Sequence, residues 1–463
     1  MFSQDNWSSA RQLSRDGVGP YEFIGVPAIT VDNKGVIYAF WVLSPSEDGV
    51  NDRYSQIEYR RSSDGGKTWS ATENLTPEYM EKRIYYMKAV CDSENNVHLV
   101  YMRGSEALEV LYKRFDGTSW TEPELIGYGT SNLQMNIDND DRIYATWLIG
   151  YSSYFSYCDD RIWSVYTQIG SEEYKLKDIK FDRNDLLYAV GYFDFKPYLF
   201  IYDKLEENWI KIEEIPNDSI EAGRACAISQ NDTLFINKDY HVYENSKDLH
   251  LSLDMNTGAY SATYQYGDKN DPDKEMYIDQ SGYLHLFETH FYTEDIGGDM
   301  GIIHSTGKNE VWETAVIDSS NEDFSYSSPS VAFDKNNNKF YVLYKEHDKI
   351  NTTSRIYFHY KQNTTGIEND GELLVNNYVL EQNYPNPFNN QTQISYNIAN
   401  QSHVELFVFN TKGEIVSVLV NSEKSKGKYS ISFNADELNS GIYYYQLKID
   451  GVLSSVKRMI LLK

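Results

Sequence analysis

The chain has 463 residues, with 42 Lys and Arg against 69 Asp and Glu, for a formal net charge of −27 at pH 7. Such acidity argues against nucleic acid or an anionic membrane as partner, since a phosphate-binding face needs a local excess of cations. No apolar run is long enough to span a bilayer. With 40 Tyr, 20 Phe and 8 Trp beside only 11 Pro, the composition favours an all-β protein large enough for two or three domains.

The start, MFSQDNWSSARQ, has neither the charged nor the apolar region of a signal peptide. The chain is therefore expected either to be cytoplasmic or to lack its export signal, and the C-terminal third decides between these. At Val31 to Leu43 the sequence reads VDNKGVIYAFWVL: a strand end, an Asp-led turn, then an aromatic and β-branched strand. The phrase recurs around Asp92, Asp138, Asp182, Ser229, Asp279 and Asp334, at intervals of about 45 to 60 residues, the length of one four-stranded propeller blade. Seven copies predict seven blades. Each continues into a third strand and a fourth that opens on an aromatic: Trp69, Trp120, Trp163, Trp209, Tyr260 and Trp312.

Blade seven stops after its third strand, near 361, while the missing signature stands at the chain start as Trp7 in NWSSARQL. Residues 6 to 13 are therefore expected to pair with 354 to 361 and close the ring, removing an unpaired edge. Cys91, Cys158 and Cys226 are odd in number. Cys91 and Cys226 both lie on the first strands of repeats that a ring keeps apart, so all three are read as buried free thiols.

Repeat one carries S-x-D-x-G-x-T-W as Ser62, Asp64, Gly66, Thr68 and Trp69. Asp and Ser bond the hairpin backbone, Gly supplies the turn dihedrals and Trp packs into the blade. Here the chain resembles the sialidase-like Asp-box, or BNR, propeller superfamily over residues 1 to about 365. The box bears on fold and lies on the face remote from that superfamily's usual active site. A sialidase would have Arg-Ile-Pro where this chain has Gly25-Val26-Pro27, and six blades, so sialidase activity is not expected.

From Lys361 the composition turns polar, then resumes strand alternation. The predicted organisation is a propeller over 1–362, a linker over 363–376 and a small Ig-like β-sandwich over 377–463. The sandwich contains NYPNPF at Asn383 to Phe388, then Thr392, Ile394 and Tyr396, then Gly441, Tyr443 and Tyr445 and a terminal KRMILLK. Together these resemble the type A C-terminal sorting domain of the type IX secretion system of Bacteroidetes and related phyla. That resemblance implies export, the secretion machinery as partner, and a secreted or outer-membrane-attached product with a truncated or processed start.

For chemistry, counting along the second strands places Trp41, Tyr101, Trp147 and Glu288 at one register position, with Arg103 and His290 two residues further on. Glu288 and His290 are the candidate acid/base pair. The first strands add Lys88, Gln134, Asp178 and Glu275 at the matching place, with Arg83, Tyr85 and Tyr86 ahead of Lys88; Arg83, Arg103 and Arg224 would bind an anionic substituent, and Trp41, Tyr101 and Trp147 would stack on a sugar. This predicts an extracellular propeller that binds or processes glycans, either as a glycoside hydrolase or as a polysaccharide lyase. The rival is a non-catalytic adhesion or protein-interaction propeller, expected if the rim charges neutralise one another. No cofactor is predicted, and the Asp-rich turns read as turn formers rather than metal ligands.

Overall fold

The computed structural model describes residues 7–15, 23–44, 55–76, 82–105, 107–170, 173–181, 185–193, 196–204, 207–214, 223–228, 233–240, 247–254, 260–266, 274–279, 283–291, 300–308, 311–318, 324–351, 353–362, 379–380, 383, 385–386, 388–398, 401–410, 415–436, 438–449 and 452–461. The chain divides into two compact units, Met1–Gly366 and Ile367–Lys463. The expected linker falls outside the described residues.

Among the described residues of the first unit, seven antiparallel sheets follow one another along the chain. Their first and second strands, A and B, are Phe23–Val31 and Ile37–Ser44, Arg83–Cys91 and Val97–Gly104, Ser131–Ile137 and Ile143–Ile149, Lys175–Phe181 and Leu187–Phe193, Gly223–Ile228 and Thr233–Tyr240, Lys274–Ile278 and Leu284–Phe291, and Phe324–Asp334 and Lys339–Asp348. Each strand A packs against strand A of the next sheet, and that of sheet seven returns to sheet one, so the contacts form a closed propeller-like cycle.

The seventh sheet is completed from the chain start. Arg11 and Gln12 pair with Phe358 and Tyr357 in its third strand, Thr353–Gln362. Ser8 N donates to Tyr360 O at 2.9 Å and Leu13 N to Ile356 O at 2.8 Å, which carries the seam across the described segment. Trp7 sets its edge against Phe287 and His304 of sheet six, 6.1 and 5.5 Å away. The other described members of its set do the same one sheet back: Trp69 on Phe358, Trp120 on Phe40 and Tyr59, Trp163 on Tyr112, Trp209 on Phe155. Each Trp is thus a partly buried wedge between neighbouring sheets, where it packs aromatic area against the sheet before it.

The repeated Asp explains the turns. Its Oδ1 accepts backbone N–H groups two to four residues on, as Asp32 does from Lys34 and Val36 (2.9 and 2.8 Å), Asp92 from Asn96 (2.7 Å), Asp138 from Arg142 (2.8 Å), Asp279 from Tyr283 (2.9 Å) and Asp334 from Asn337 (2.9 Å). All five carboxylates are buried, and these bonds replace the water they lose. The turns also join one another. Asn336 Nδ2 donates to Asn33 O, Ser93 to Asp141, and Asn139 N to Asp185, a belt that runs from sheet seven through sheet four.

The Ser62–Trp69 hairpin folds as its residue types dictate. Ser62 Oγ donates to Asp64 and accepts from Gly66 N, and Asp64 accepts from Thr68 N and Thr68 Oγ1 at 2.9 and 2.6 Å. The Thr68 bonds come first among the causes that hold the Asp64 carboxyl well below its ordinary range. Gly66 has φ 85°, and a Cβ there would stand 2.4 Å from the Phe358 ring. Asp116 caps a shorter version before Trp120, accepting from Thr118 and Ser119. In sheet three the expected fourth strand is split into Ile162–Trp163 and Thr167–Gln168, because Ser156 Oγ captures the Ser164 carbonyl at 2.8 Å between them.

Cys158 is a buried free thiol, as expected, its pKa pushed up by burial to about 12. Cys91 is free but only partly buried, and the Cys226 side chain lies outside the described residues.

The second unit has two antiparallel sheets. Val379–Leu380, Gln391–Ile398 and Gly427–Asn434 make one; Ile415–Lys424, Ser402–Asn410, Gly441–Ile449 and Val452–Leu461 make the other. They share a core of Ile394, Tyr396, Val404, Leu406, Phe433, Tyr445, Leu447 and Met459. The NYPNPF segment works as a clasp on that core. Asn383, almost fully buried, takes the Tyr445 hydroxyl on its N–H at 2.7 Å and donates from its side chain to Thr392 Oγ1 at 3.0 Å, while Phe388 is buried.

Candidate functional site at the inner strands

Six strands A carry a register shift against strand B, all near their first residues: Gly25/Ala28, Ile84/Tyr86, Ser131/Gln134, Leu176/Asp178, Gly223/Ala225 and Ser327/Ser330. A bulge puts extra residues on one strand, bends it and re-aims a side chain. Val26, Asn132 and Ser328 take positive φ at 50°, 55° and 58° to accommodate it. The bulge residues are Val26-Pro27, Tyr85, Asn132-Leu133, Lys177, Arg224 and Ser328-Pro329. All of these except Arg224, whose side chain lies outside the described residues, line one cavity of about 460 Å³.

Tyr86, Lys88, Gln134, Asp178, Glu275 and Lys345 complete the described polar wall. Lys88, Gln134, Asp178 and Glu275 also line a second cavity, of about 370 Å³, that extends to the Asp turns. Between the two, Lys88 Nζ of sheet two meets Glu275 Oε1 of sheet six at 2.8 Å, across the ring. Burial works against the Lys88 charge, but the Glu275 carboxylate, helped by Asp178, outweighs it and raises the Lys88 pKa. Burial likewise opposes the Glu275 charge, and Lys88 with Lys180 outweighs it and lowers the Glu275 pKa. Both groups therefore stay charged. Lys180 lies 3.5 Å from Asp178.

The register chosen from strand B needs correction. Trp41 is 0% exposed, with its indole N–H on Glu58 at 2.8 Å; Trp147 is 1% exposed, with its N–H on the Tyr128 carbonyl at 2.8 Å; Tyr101 is 0% exposed. None offers a face to a sugar, because strand B side chains opposite or beside the bulges are driven between the sheets. Trp147 packs so closely that a Cβ at Gly127 would stand 2.5 Å from its ring.

Glu288 is 5% exposed, and the described lining of neither cavity includes it. The His290 side chain lies outside the described residues. Arg103 is turned to Glu109 at 2.9 Å, and Lys82 shares the same carboxylate, so its role as an anion clamp is also corrected. Arg83 stands over the Tyr85 ring at 5.3 Å, where it fixes that aromatic at the mouth. Tyr85, 37% exposed, is an aromatic that strand A, not strand B, brings to the cavity.

The signal for the bulges was present. Pro27 and Pro329 each interrupt an inner strand five residues before the turn Asp, and Pro inside a strand marks an edge or a bulge.

Among the described residues no cluster of three His, Cys, Asp or Glu is placed to hold a metal, and no helix is long and apolar enough to cross a membrane.

An all-β, propeller-like body joined to a two-sheet tail defines the class. Residues 382–462 match the family described as the secretion system C-terminal sorting domain. That stretch is a type IX sorting domain, which makes the chain a secreted or cell-surface protein. No curated protein matches the chain. Among solved structures, a protein of unknown function from Dyadobacter fermentans is 12% identical with a TM-score of 0.47, over 76% of this chain and 99% of its own. Virginiamycin B lyase from Staphylococcus aureus is 11% identical, TM-score 0.47, over 75% and 98%, and the NanB sialidase of Streptococcus pneumoniae is 10% identical, TM-score 0.45, over 77% and 70%. These are likenesses of backbone course and assign no chemistry.

Proposed function

We propose that this chain is a seven-bladed propeller, residues 1–362, exported through its Ig-like tail, residues 377–463 beyond a 363–376 linker, and that it binds extracellular glycans without turning them over. One observation carries the binding reading: five described bulges bring Tyr85, Asn132, Lys177 and their neighbours to one solvent-open cavity. Aromatic, amide and ammonium groups around a concave mouth suit a polyhydroxylated ligand. The Ser62–Trp69 hairpin is an Asp-box in this reading and serves the fold.

Binding rather than catalysis is favoured by Glu275, which with Asp178 makes up the described carboxylates of the cavity wall. Glu275 is held ionised by Lys88, so it is a poor proton donor, and its depressed pKa makes it a weak base. Titrating the protein with extracellular polysaccharides by calorimetry tests the reading. Binding that Tyr85→Ala weakens by about tenfold, with no release of product over hours, is the expected result, as an aromatic contact of about 1 kcal/mol and its buried area imply. Reducing ends or unsaturated products released by the wild type would return the chain to the enzymes.

A protein-interaction propeller has one observation in its favour. The described rim charges are largely paired, Arg103 and Lys82 with Glu109, and Arg355 with Glu346 at 2.9 Å. Binding of a cell-surface protein, with no glycan bound at all, would favour it.

A further inference from the structure

We infer that the mouth continues outward as a track for a linear polysaccharide bearing carboxylates, laid over sheets three and four. This inference rests on the glycan reading above and names the ligand's class.

Lys175 Nζ stands 4.2 Å from the centroid of the Tyr151 ring and 5.7 Å from that of Tyr192, and Lys177 Nζ lies 5.5 Å from Tyr192. Aromatic and cation therefore alternate from Tyr151, on the turn after strand B of sheet three, to Lys177, the bulge residue in the cavity wall. Tyr151 is 63% exposed, beyond the cavity lining, so the row starts on open surface and ends in the mouth.

Three features select the ligand. Each ammonium sits against a ring face and holds it in place, so both faces and charges are ordered before anything binds. Tyr rings stack on the C–H faces of sugars, while an ammonium between them takes an oxygen anion through a charge-assisted bond. The row together with the cavity offers more surface than one sugar ring covers, which calls for a chain. In a protein of net charge −27, Lys175 and Lys177 set two ammonium groups along this path.

Binding of galacturonate hexamer, galacturonate monomer and an uncharged cellohexaose to the full chain tests the inference. The hexamer should bind at least about tenfold more tightly than either comparison ligand, and its affinity should fall as salt rises from about 0.05 to 0.3 M. Tyr151→Ala and Lys175→Gln, both surface changes, should each weaken hexamer binding by about three- to tenfold and leave monomer binding unchanged. If cellohexaose binds as well as the uronate, the carboxylate class is overturned while the glycan reading stands. Equal affinity for monomer and hexamer, or a hexamer indifferent to Tyr151→Ala, overturns the track alone. If none of the three binds and Tyr85→Ala changes nothing on wider glycan panels, both readings fall.

Discussion

The two ends of each inner strand obey different rules. At the turn end the chain repeats itself closely: a buried Asp takes its own backbone N–H groups, and each turn donates to the next. At the other end the strands share a bulge but not the residue that occupies it, which is Val-Pro in sheet one, Tyr in sheet two, Lys in sheet four and Ser-Pro in sheet seven. Repetition within the chain thus marks what holds the ring, and departures from it mark the surface free to meet a ligand. A stability experiment should separate the ends.

The largest effect is expected at the seam. Deleting residues 1–15 removes the pairing of Arg11 and Gln12, the Ser8 and Leu13 bonds and the Trp7 wedge. Losing the partly buried Trp7 costs up to about 3 kcal/mol and the backbone bonds add to it, so the melting midpoint should drop by on the order of 10 °C. An unchanged melt would show that the seam holds nothing.

Next comes the contrast between the ends themselves. Trp41→Ala should cost about 3–5 kcal/mol in urea denaturation, while Tyr85→Ala should stay within about 0.5 kcal/mol and act on binding. Equal costs would erase the distinction between a core position and a mouth position.

The smallest effect is a pH dependence. His285 Nδ1 lies 2.9 Å from His304 Nε2, and Asp279 holds the other side of His285 at 3.3 Å. Burial is the main cause that lowers the pKa values of His285, His304 and His359; His285 and Lys361 push His304 further down, while Asp279 opposes the shift at His285. The unfolded chain therefore binds protons that the folded one does not. This stabilisation is complete above about pH 6.5 and is lost as pH falls below it, toward the lowered folded-state values. Urea midpoints measured from pH 7.5 to 5 should fall, and less steeply for His304→Phe; a flat profile would contradict this.

How far the sequence could be read follows the same division. The turn phrase, the fourth-strand Trp and the displaced Trp7 were legible because each is a local residue pattern with a local physical cause. At the mouth, counting along strand B led to Trp41, Tyr101 and Trp147, which are core, because a bulge changes which residues face the axis without changing composition; counting along strand A led to Lys88, Gln134, Asp178 and Glu275, which line the cavity. Pro27 and Pro329 marked the place. In the tail the signature residues were legible as a resemblance, but their role was not: only the folded contacts show Asn383 bonding to Tyr445 and Thr392 across 62 and 9 residues of sequence.

The ion pair between Lys88 and Glu275 joins opposite walls of the ring, and its consequence is one of traffic. Both residues line the upper and the lower cavity, so anything passing from one to the other must go by that charged crossbar.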